Sequence, residues 1–344
     1  MEKTFEFPGF IDVHVHFRDP GAPEAETTAT GLESAARGGF AAVVTMPNTE
    51  PACDSPELIR HQLDAASAAQ EKSPRALPLL LPSAAISRGR ASRETADLEA
   101  LADAGAVFFT DDGTFVTDGK VMEEAMRRAY DLNMVLCQHA LAPGVTEAEA
   151  ILRDLSLCRE TGCRLHIQHI STAKGVELVR GAQREGLPVT AEATPHHLLL
   201  CREDIKGDDG NFKMAPPLAG REDRAEVRRA VKDGVLMFAT DHAPHVAARK
   251  NCGYEKAANG IIGLETAVAI TYQVMVEEEG MPVDDWARAW YEMPRGILAA
   301  KNLRLRPTRV TVGAPYTVDL DSFASLSRNC PYQGMRFNCR PKGD

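Results

Sequence analysis

Short β-prone runs recur along the chain, and most are followed by a longer stretch with helical periodicity. Strands are read at Phe10–Phe17, Ala41–Met46, Ala76–Pro82, Ala106–Thr110, Met134–His139, Arg164–His169, Pro188–Ala193 and Val235–Thr240. Helices are read between them at Thr27–Arg37, Pro56–Gln70, Glu94–Ala104, Val121–Asp131, Glu147–Glu160, Lys174–Glu185 and Arg221–Lys232. Their punctuation agrees: Ser55 precedes Pro56 as cap and first helical residue, and Gly38, Gly105, Gly162 and Gly186 stand at helix ends. Strands and helices alternating this often in one chain of 344 residues predict an α/β fold, a (β/α)8 TIM barrel. A doubly wound open sheet is the alternative, but neither a Gly-x-Gly-x-x-Gly fingerprint nor a P-loop supports it. After the eighth strand, Gly263–Glu279 and Asp284–Ala300 read as helices, and 301–344 as a short strand with a wrapped tail. The expected division is a barrel over 1–300 and a C-terminal tail over 301–344.

Composition narrows the function classes. With 39 Lys+Arg against 49 Asp+Glu the net charge is −10, which argues against a groove that must neutralise nucleic-acid phosphates. Hydrophobic residues at 44% and charged residues at 26% are those of a soluble globular protein. No apolar run approaches the roughly 20 residues of a membrane helix, and Met1–Phe7 does not read as a secretory signal. The eight cysteines form no Cys-x-x-Cys pair and read as reduced thiols, consistent with a cytoplasmic enzyme.

The position of the reactive side chains is more informative than their number. His14 and His16 lie on the first strand, Asp111 and Asp112 just after the fourth, His139 on the fifth, His169 on the sixth and Asp241 after the eighth. In a barrel those strand ends converge on one face, so these residues become neighbours. Side chains two apart on a strand point the same way, so His14 and His16 can grip one cation. Imidazole nitrogens with carboxylate oxygens suit a zinc-like divalent metal in a hydrolytic site. Singly, each has a plainer explanation: a hydrogen-bonded strand histidine or an aspartate capping a helix. Arg18 shares the rim and could hold a substrate carboxylate; Asn48 follows the second strand and could offer an amide or make a turn. His166, three before His169, is expected to face the helices, and His196 and His197 fit either the rim or a polar loop.

Pro8-Gly9-Phe10-Ile11-Asp12-Val13-His14-Val15-His16-Phe17-Arg18-Asp19-Pro20-Gly21 resembles the opening motif of the dihydroorotases of the amidohydrolase superfamily. The resemblance continues in order through Met46-Pro47-Asn48-Thr49, Thr110-Asp111-Asp112-Gly113, His169-Ile170-Ser171-Thr172, Glu192-Ala193-Thr194-Pro195-His196-His197 and Thr240-Asp241-His242-Ala243-Pro244-His245. It implies one or two Zn2+ ions, with His14, His16 and Asp241 holding one and His139 and His169 the other. The bridging carboxylate falls on Asp111 or Asp112, and spacing to His139 favours Asp112. The resemblance further implies that Asp241 shuttles the catalytic proton and that Arg18, Asn48 and His245 bind the substrate. The implied reaction is reversible closure of N-carbamoyl-L-aspartate to L-dihydroorotate in pyrimidine biosynthesis. A hydantoinase- or allantoinase-like cyclic amidohydrolase and an inactive dihydroorotase-like subunit are the alternatives; the former would leave Arg18 without a carboxylate partner.

Two departures stand out. The family's Lys-Met-Asn-Pro-Pro-Leu-Arg segment is here Lys213-Met214-Ala215-Pro216-Pro217-Leu218-Ala219, without the substrate-facing amide. Losing one such hydrogen bond costs about 0.5–1.5 kcal/mol. The chain is also expected to enter its first barrel strand almost at once, leaving the family's N-terminal β-sandwich reduced or absent. The uncovered flank is then expected to meet a second copy in a homodimer, or aspartate carbamoyltransferase.

Overall fold

All eight predicted barrel strands form, most of them shortened at an end. The computed structural model describes residues 2–300 and 302–342, so Met1, Lys301, Gly343 and Asp344, which fall within segments read above, lie outside the described residues. The strands are β1 (Lys3–Phe7), β2 (Phe10–Val15), β3 (Phe40–Thr45), β4 (Leu79–Pro82), β5 (Phe109–Thr110), β6 (Val135–Gln138), β7 (Arg164–Ile167), β8 (Val189–Ala193), β9 (Met237–Phe238), β10 (Thr308–Thr317) and β11 (Arg336–Pro341). The helices are α1 (Thr28–Arg37), α2 (Pro56–Lys72), α3 (Leu98–Ala104), α4 (Gly119–Asp131), α5 (Glu147–Thr161), α6 (Ala173–Arg184), α7 (Pro195–Leu199), α8 (Arg221–Lys232), α9 (Ala247–Lys250), α10 (Ala267–Thr271) and α11 (Val283–Ile297), with a π-helical stretch at Tyr272–Glu278 after α10.

Two parallel sheets, β2-β3-β4 and β5-β6-β7-β8-β9, make up the barrel wall. Parallel bridges join them at both seams, Ala84 with Phe109 and Val15 with His242. Backbone bonds hold each seam: Thr110 N–H to Ala84 O at 2.9 Å and His16 N–H to His242 O at 2.8 Å. The strands therefore neighbour one another in a ring, not in an open sheet. β2 and β3 are buried along their whole length, as expected where helices cover one face and side chains fill the other. Ile11, Val13, Val44, Val107, Cys137 and Ala239 meet in an inner apolar cluster that Ile297 and Leu298 help to close. The outer cluster packs the helices on the wall, with Phe10, Phe40 and Phe238 gathered on Trp290. Both Trp286 and Trp290 donate from Nε1 to Thr271 Oγ1 at 3.1 Å, which satisfies two indoles inside an apolar layer.

Local chemistry sets the element ends. Thr27 and Thr146 close capping boxes at the starts of α1 and α5. Ser55 occupies the cap of α2 without a side-chain bond, so Pro56 carries that start. Gly105 and Gly162 take the left-handed backbone at their helix ends, whereas Gly38 stays right-handed and Gly39, at φ +85°, makes the turn into β3.

The first barrel strand begins at Phe10, as expected, but a further strand, β1, precedes it. β1 pairs antiparallel with β10, and β10 with β11, in a three-stranded sheet outside the barrel. A small sheet therefore stands beside the barrel, with β1 and β10 paired across residue 300. In Lys3–Phe7 the aromatic Phe5 and Phe7 alternate with the exposed Thr4 and Glu6, a half-buried strand pattern too short to be read as a strand from the sequence. Thr308 ties sheet to barrel: its hydroxyl accepts from Phe10 N–H at 2.9 Å and donates to Gly39 O at 2.7 Å.

Gly31 lies in α1 where a Cβ would stand 2.3 Å from the Phe17 ring, and Phe17 sits between His16 and Arg18 on the rim. In an open helix Gly→Ala stabilises by about 1 kcal/mol, but overpacking costs about 1–3 kcal/mol and dominates here. Gly31→Ala is therefore expected to lower the denaturation midpoint; an unchanged or raised midpoint would show that the helix tolerates the methyl group.

Candidate active site

Five strand ends deliver the expected cluster. β2 carries an extra residue relative to β3 between Asp12 and Val15, a bulge at the level of His14. Such a bulge re-aims the side chains around it. Below it Val13 packs in the inner cluster, and above it Val15 packs outside. His14 and His16 both approach Asp241 Oδ1, their Nε2 atoms at 3.5 and 3.0 Å. His169 (φ 36°) and Asp241 (φ 50°) adopt left-handed backbone at the ends of their strands. For non-glycine residues this costs on the order of 1–3 kcal/mol each, a strain typical of sites where geometry is imposed.

Asp112 stands at the centre. Its carboxylate lies 3.3 Å from His14 Nε2, 3.3 Å from His16 Nε2, 3.2 Å from His139 Nδ1 and 3.4 Å from His169 Nε2. Asp111 points elsewhere. It accepts from Ile86 N–H at 2.8 Å, from Ser87 N–H at 3.1 Å and from the Ser87 hydroxyl, and so anchors the loop after β4.

Hydrogen bonds from behind prepare the rings. The Nδ1 of His14 meets Glu192 Oε1 at 2.5 Å, and that of His16 meets Asn48 Oδ1 at 2.7 Å. With Nδ1–H donating to those oxygens, each Nε2 keeps its lone pair facing Asp112 and Asp241, the arrangement of a metal-ligating histidine. His14 Nε2 is buried and, among the described residues, engages no hydrogen-bond partner, and His139 Nδ1 and His169 Nε2 face each other at 2.8 Å. Ligand atoms of His14, His16 and Asp241, and of His14, Asp112 and His169, lie within 4.8 Å of one another. Burial opposes ionisation of the carboxylates. Even so, neighbouring imidazoles, His14 foremost, hold Asp112 and Asp241 below the usual carboxylate range and Glu192 at about 2. Burial also pushes the His16 and His139 imidazoles down towards the neutral form, whereas the facing carboxylates, Asp112 foremost, outweigh burial and hold His14 and His169 up. Buried anions with lone-pair nitrogens aimed between them fit one or two divalent cations.

The cluster opens into a cavity of about 190 Å³ lined by His16, Asp112, His139, His169 and Asp241 together with Arg18, Asn48 and His245. A wider outer cavity of about 520 Å³ shares Arg18, Asn48 and His245. Arg18 Nε donates to Pro244 O at 3.1 Å, and its terminal nitrogens engage no acceptor among the described residues. Burial lowers its pKa only to about 10, so it remains a cation facing the cavity. Burial, then the Arg18 charge, lowers His245 to about 3 and keeps that ring neutral.

Several supporting residues carried no assigned role in the sequence reading. Glu192 accepts from His14 and from His166 Nε2, the latter at 3.0 Å, so His166 faces inward and not towards the helices as expected. Parity failed there because the left-handed turn at His169 breaks the strand alternation on which the expectation rested. Glu147 at the start of α5 accepts from Ser171 and Thr172 N–H at 3.0 and 3.1 Å, fixing the loop after His169. Arg90 Nη2 donates to Asp112 O at 2.7 Å from an irregular turn with no sequence signal. His196 and His197 are buried on α7, where His197 bonds Thr194 and Pro216 O and is set by packing rather than by loop polarity.

A sequence profile described as Dihydro-orotase-like matches residues 5–150. A dihydroorotase of Bacillus caldolyticus is 40% identical over 95% of this chain and 82% of its own length. One of Listeria monocytogenes is 38% identical over the same shares. Among solved structures, the L-hydantoinase (dihydropyrimidinase) of Arthrobacter aurescens superposes with a TM-score of 0.85 at 23% identity, covering 98% of this chain and 83% of that one. The dihydroorotase of Saccharomyces cerevisiae in complex with 5-fluoroorotic acid superposes with a TM-score of 0.82 at 16% identity, covering 99% and 98%. These structural likenesses show the fold alone, and the sequence relatives go further: the chain belongs to the dihydroorotase family.

Proposed function

We propose that this protein is a zinc-dependent dihydroorotase that interconverts N-carbamoyl-L-aspartate and L-dihydroorotate, a step of pyrimidine biosynthesis in the cytoplasm. The observation that carries the reading is the meeting of a buried His/Asp cluster with an open Arg18 cation in one cavity. His14, His16 and Asp241 would hold one zinc; His139 and His169 would hold a second, with Asp112 between them. Bound there, the metal supplies an activated water near neutral pH and polarises the ring amide carbonyl. Asp241, ionised well below neutrality, takes the proton of the attacking water and returns it to the departing ring nitrogen. Ring closure runs the same transfers backwards, with water as the leaving molecule. Arg18 holds the exocyclic carboxylate, while Asn48, whose oxygen serves His16, offers its amide nitrogen to the ligand. His245, neutral throughout the working range, contacts the ligand without adding charge.

The alternatives fare less well on the same residues. A hydantoin has no exocyclic carboxylate and would leave the Arg18 charge unmatched. An inactive subunit has no need of a complete donor set behind which Glu192 and Asn48 orient the rings. A homodimer, or docking on aspartate carbamoyltransferase, is supported by the open edges that β1 and β11 present.

The first test measures zinc per chain alongside dihydroorotate hydrolysis. Chelation is expected to abolish turnover and zinc to restore it; turnover by a metal-free sample would sink the reading. Asp112→Asn should lose both metal and activity, whereas Asp111→Asn should lose stability but keep its metal. The second test compares substrates. Arg18→Ala should lower kcat/KM for dihydroorotate by about 10- to 150-fold, the worth of a charged hydrogen bond of about 1.5–3 kcal/mol. The same change should leave any hydantoin hydrolysis nearly unaltered; equal losses on both would argue against Arg18 as the carboxylate partner.

A further inference from the structure

Asp241 keeps its left-handed backbone between two residues that are each fixed by a buried carboxylate, and neither carboxylate is among the candidate ligands. On one side Thr240 donates to Asp12, from its N–H at 3.0 Å and from its hydroxyl. On the other side stands His242, wholly buried. Its N–H donates to Thr240 Oγ1 at 3.0 Å, and its carbonyl accepts from His16 N–H at 2.8 Å. Its Nδ1 accepts from Gly263 N–H at 3.1 Å, so the ring proton sits on Nε2 and points at Glu26 Oε2, 3.3 Å away. Glu26 is wholly buried as well. Its other donors are the Thr30 hydroxyl on α1, the Ser325 hydroxyl and, at 3.4 Å, the Leu326 N–H of the tail. Four donors from three segments thus converge on two oxygens. Neither Glu26 nor His242 lines the two cavities at Arg18, so the pair works behind the site.

We propose that Glu26 is a positioning residue, which through His242 holds Asp241 where it can bind the metal and carry the proton, and which joins the tail to that task. This rests on the reading of Asp241 as metal ligand and proton carrier. Left-handed backbone at an aspartate persists only while its surroundings impose it. A His242 ring without its anchor is free to turn and release Gly263. Asp241 can then relax towards extended backbone, which carries its carboxylate away from His14 and His16. A ring with one fixed proton transmits position and not charge. Arg18 keeps its own anchor on Pro244 O, so the ligand's carboxylate partner stays in place.

Zinc affinity, read by competition with a chelator, and steady-state kinetics with dihydroorotate test the assignment on the intact chain. Glu26→Ala is expected to weaken zinc binding and to lower kcat, each about tenfold, with KM little changed. His242→Asn, whose side-chain oxygen can still accept from Gly263 but whose amide falls short of Glu26, should show the same losses. Because the two residues act in one line of contacts, the double variant should be no worse than either single one. Glu26→Gln keeps an acceptor for His242 and should recover most of both losses. Should Glu26→Ala fail to fold, His242→Asn carries the test by itself. Wild-type zinc affinity in the single variants overturns the assignment, even where the denaturation midpoint falls, since support of the fold alone would give that result. Losses that add in the double variant, or a loss confined to KM, overturn it too. A wild-type protein that binds no zinc overturns the functional reading and this inference with it, whereas the other failures leave that reading standing.

Discussion

Carboxylates gathered in a buried barrel mouth repel one another, and the rest of the site is organised around that repulsion. Asp112 and Asp241 stay ionised while almost wholly buried, and Glu192 does so beneath them. An isolated buried charge costs several kcal/mol, so each anion needs a partner of opposite sign or a set of donors. Imidazoles supply part of that compensation, and a divalent cation supplies it most fully, because it binds the anions and the ring lone pairs together. Glu192 and Asn48 matter for the same reason: by accepting from Nδ1 they decide which nitrogen of His14 and His16 is left to bind.

Such a cluster must also be held against its own tendency to spread. His169 and Asp241 sit in left-handed backbone that neither residue favours, and their neighbours supply the restraint. Behind His169, Glu147 ties the following loop to α5. Behind Asp241, Asp12 accepts from Thr240 N–H at 3.0 Å, and Asn329 accepts from His245 N–H at 3.0 Å. The tail therefore has work to do well away from the small sheet. Segment 325–329 reaches back to Glu26 and to the loop after Asp241, so sequence-distant residues brace the cavity rim.

What the sequence made legible follows from which forces act locally. Strand and helix positions could be read because parallel barrel strands are apolar throughout and their helices begin and end on caps and glycines. The metal-type cluster could be read because a barrel gathers its strand ends on one face, which turns chain position into spatial proximity. His166 could not, since one left-handed residue reversed the face on which parity placed it. β1 was missed because its partners lie some 300 residues later, at β10, and no local signal reports a pairing at that separation. Arg90, Lys250 and Asn329 act through backbone carbonyls in irregular segments, where no spacing rule applies.

The Ala215 departure shows how far a linear comparison can carry an argument before geometry must take over. Judged along the chain, it is a lost hydrogen bond and counts against tight binding. Judged in the fold, position 215 and position 259 face one cavity from two segments that Lys250 binds to each other. A ligand carboxylate needs donors at certain points in space and is indifferent to which segment presents them. Residues joined in this way couple, so the effect of a substitution at one is set by the side chain at the other.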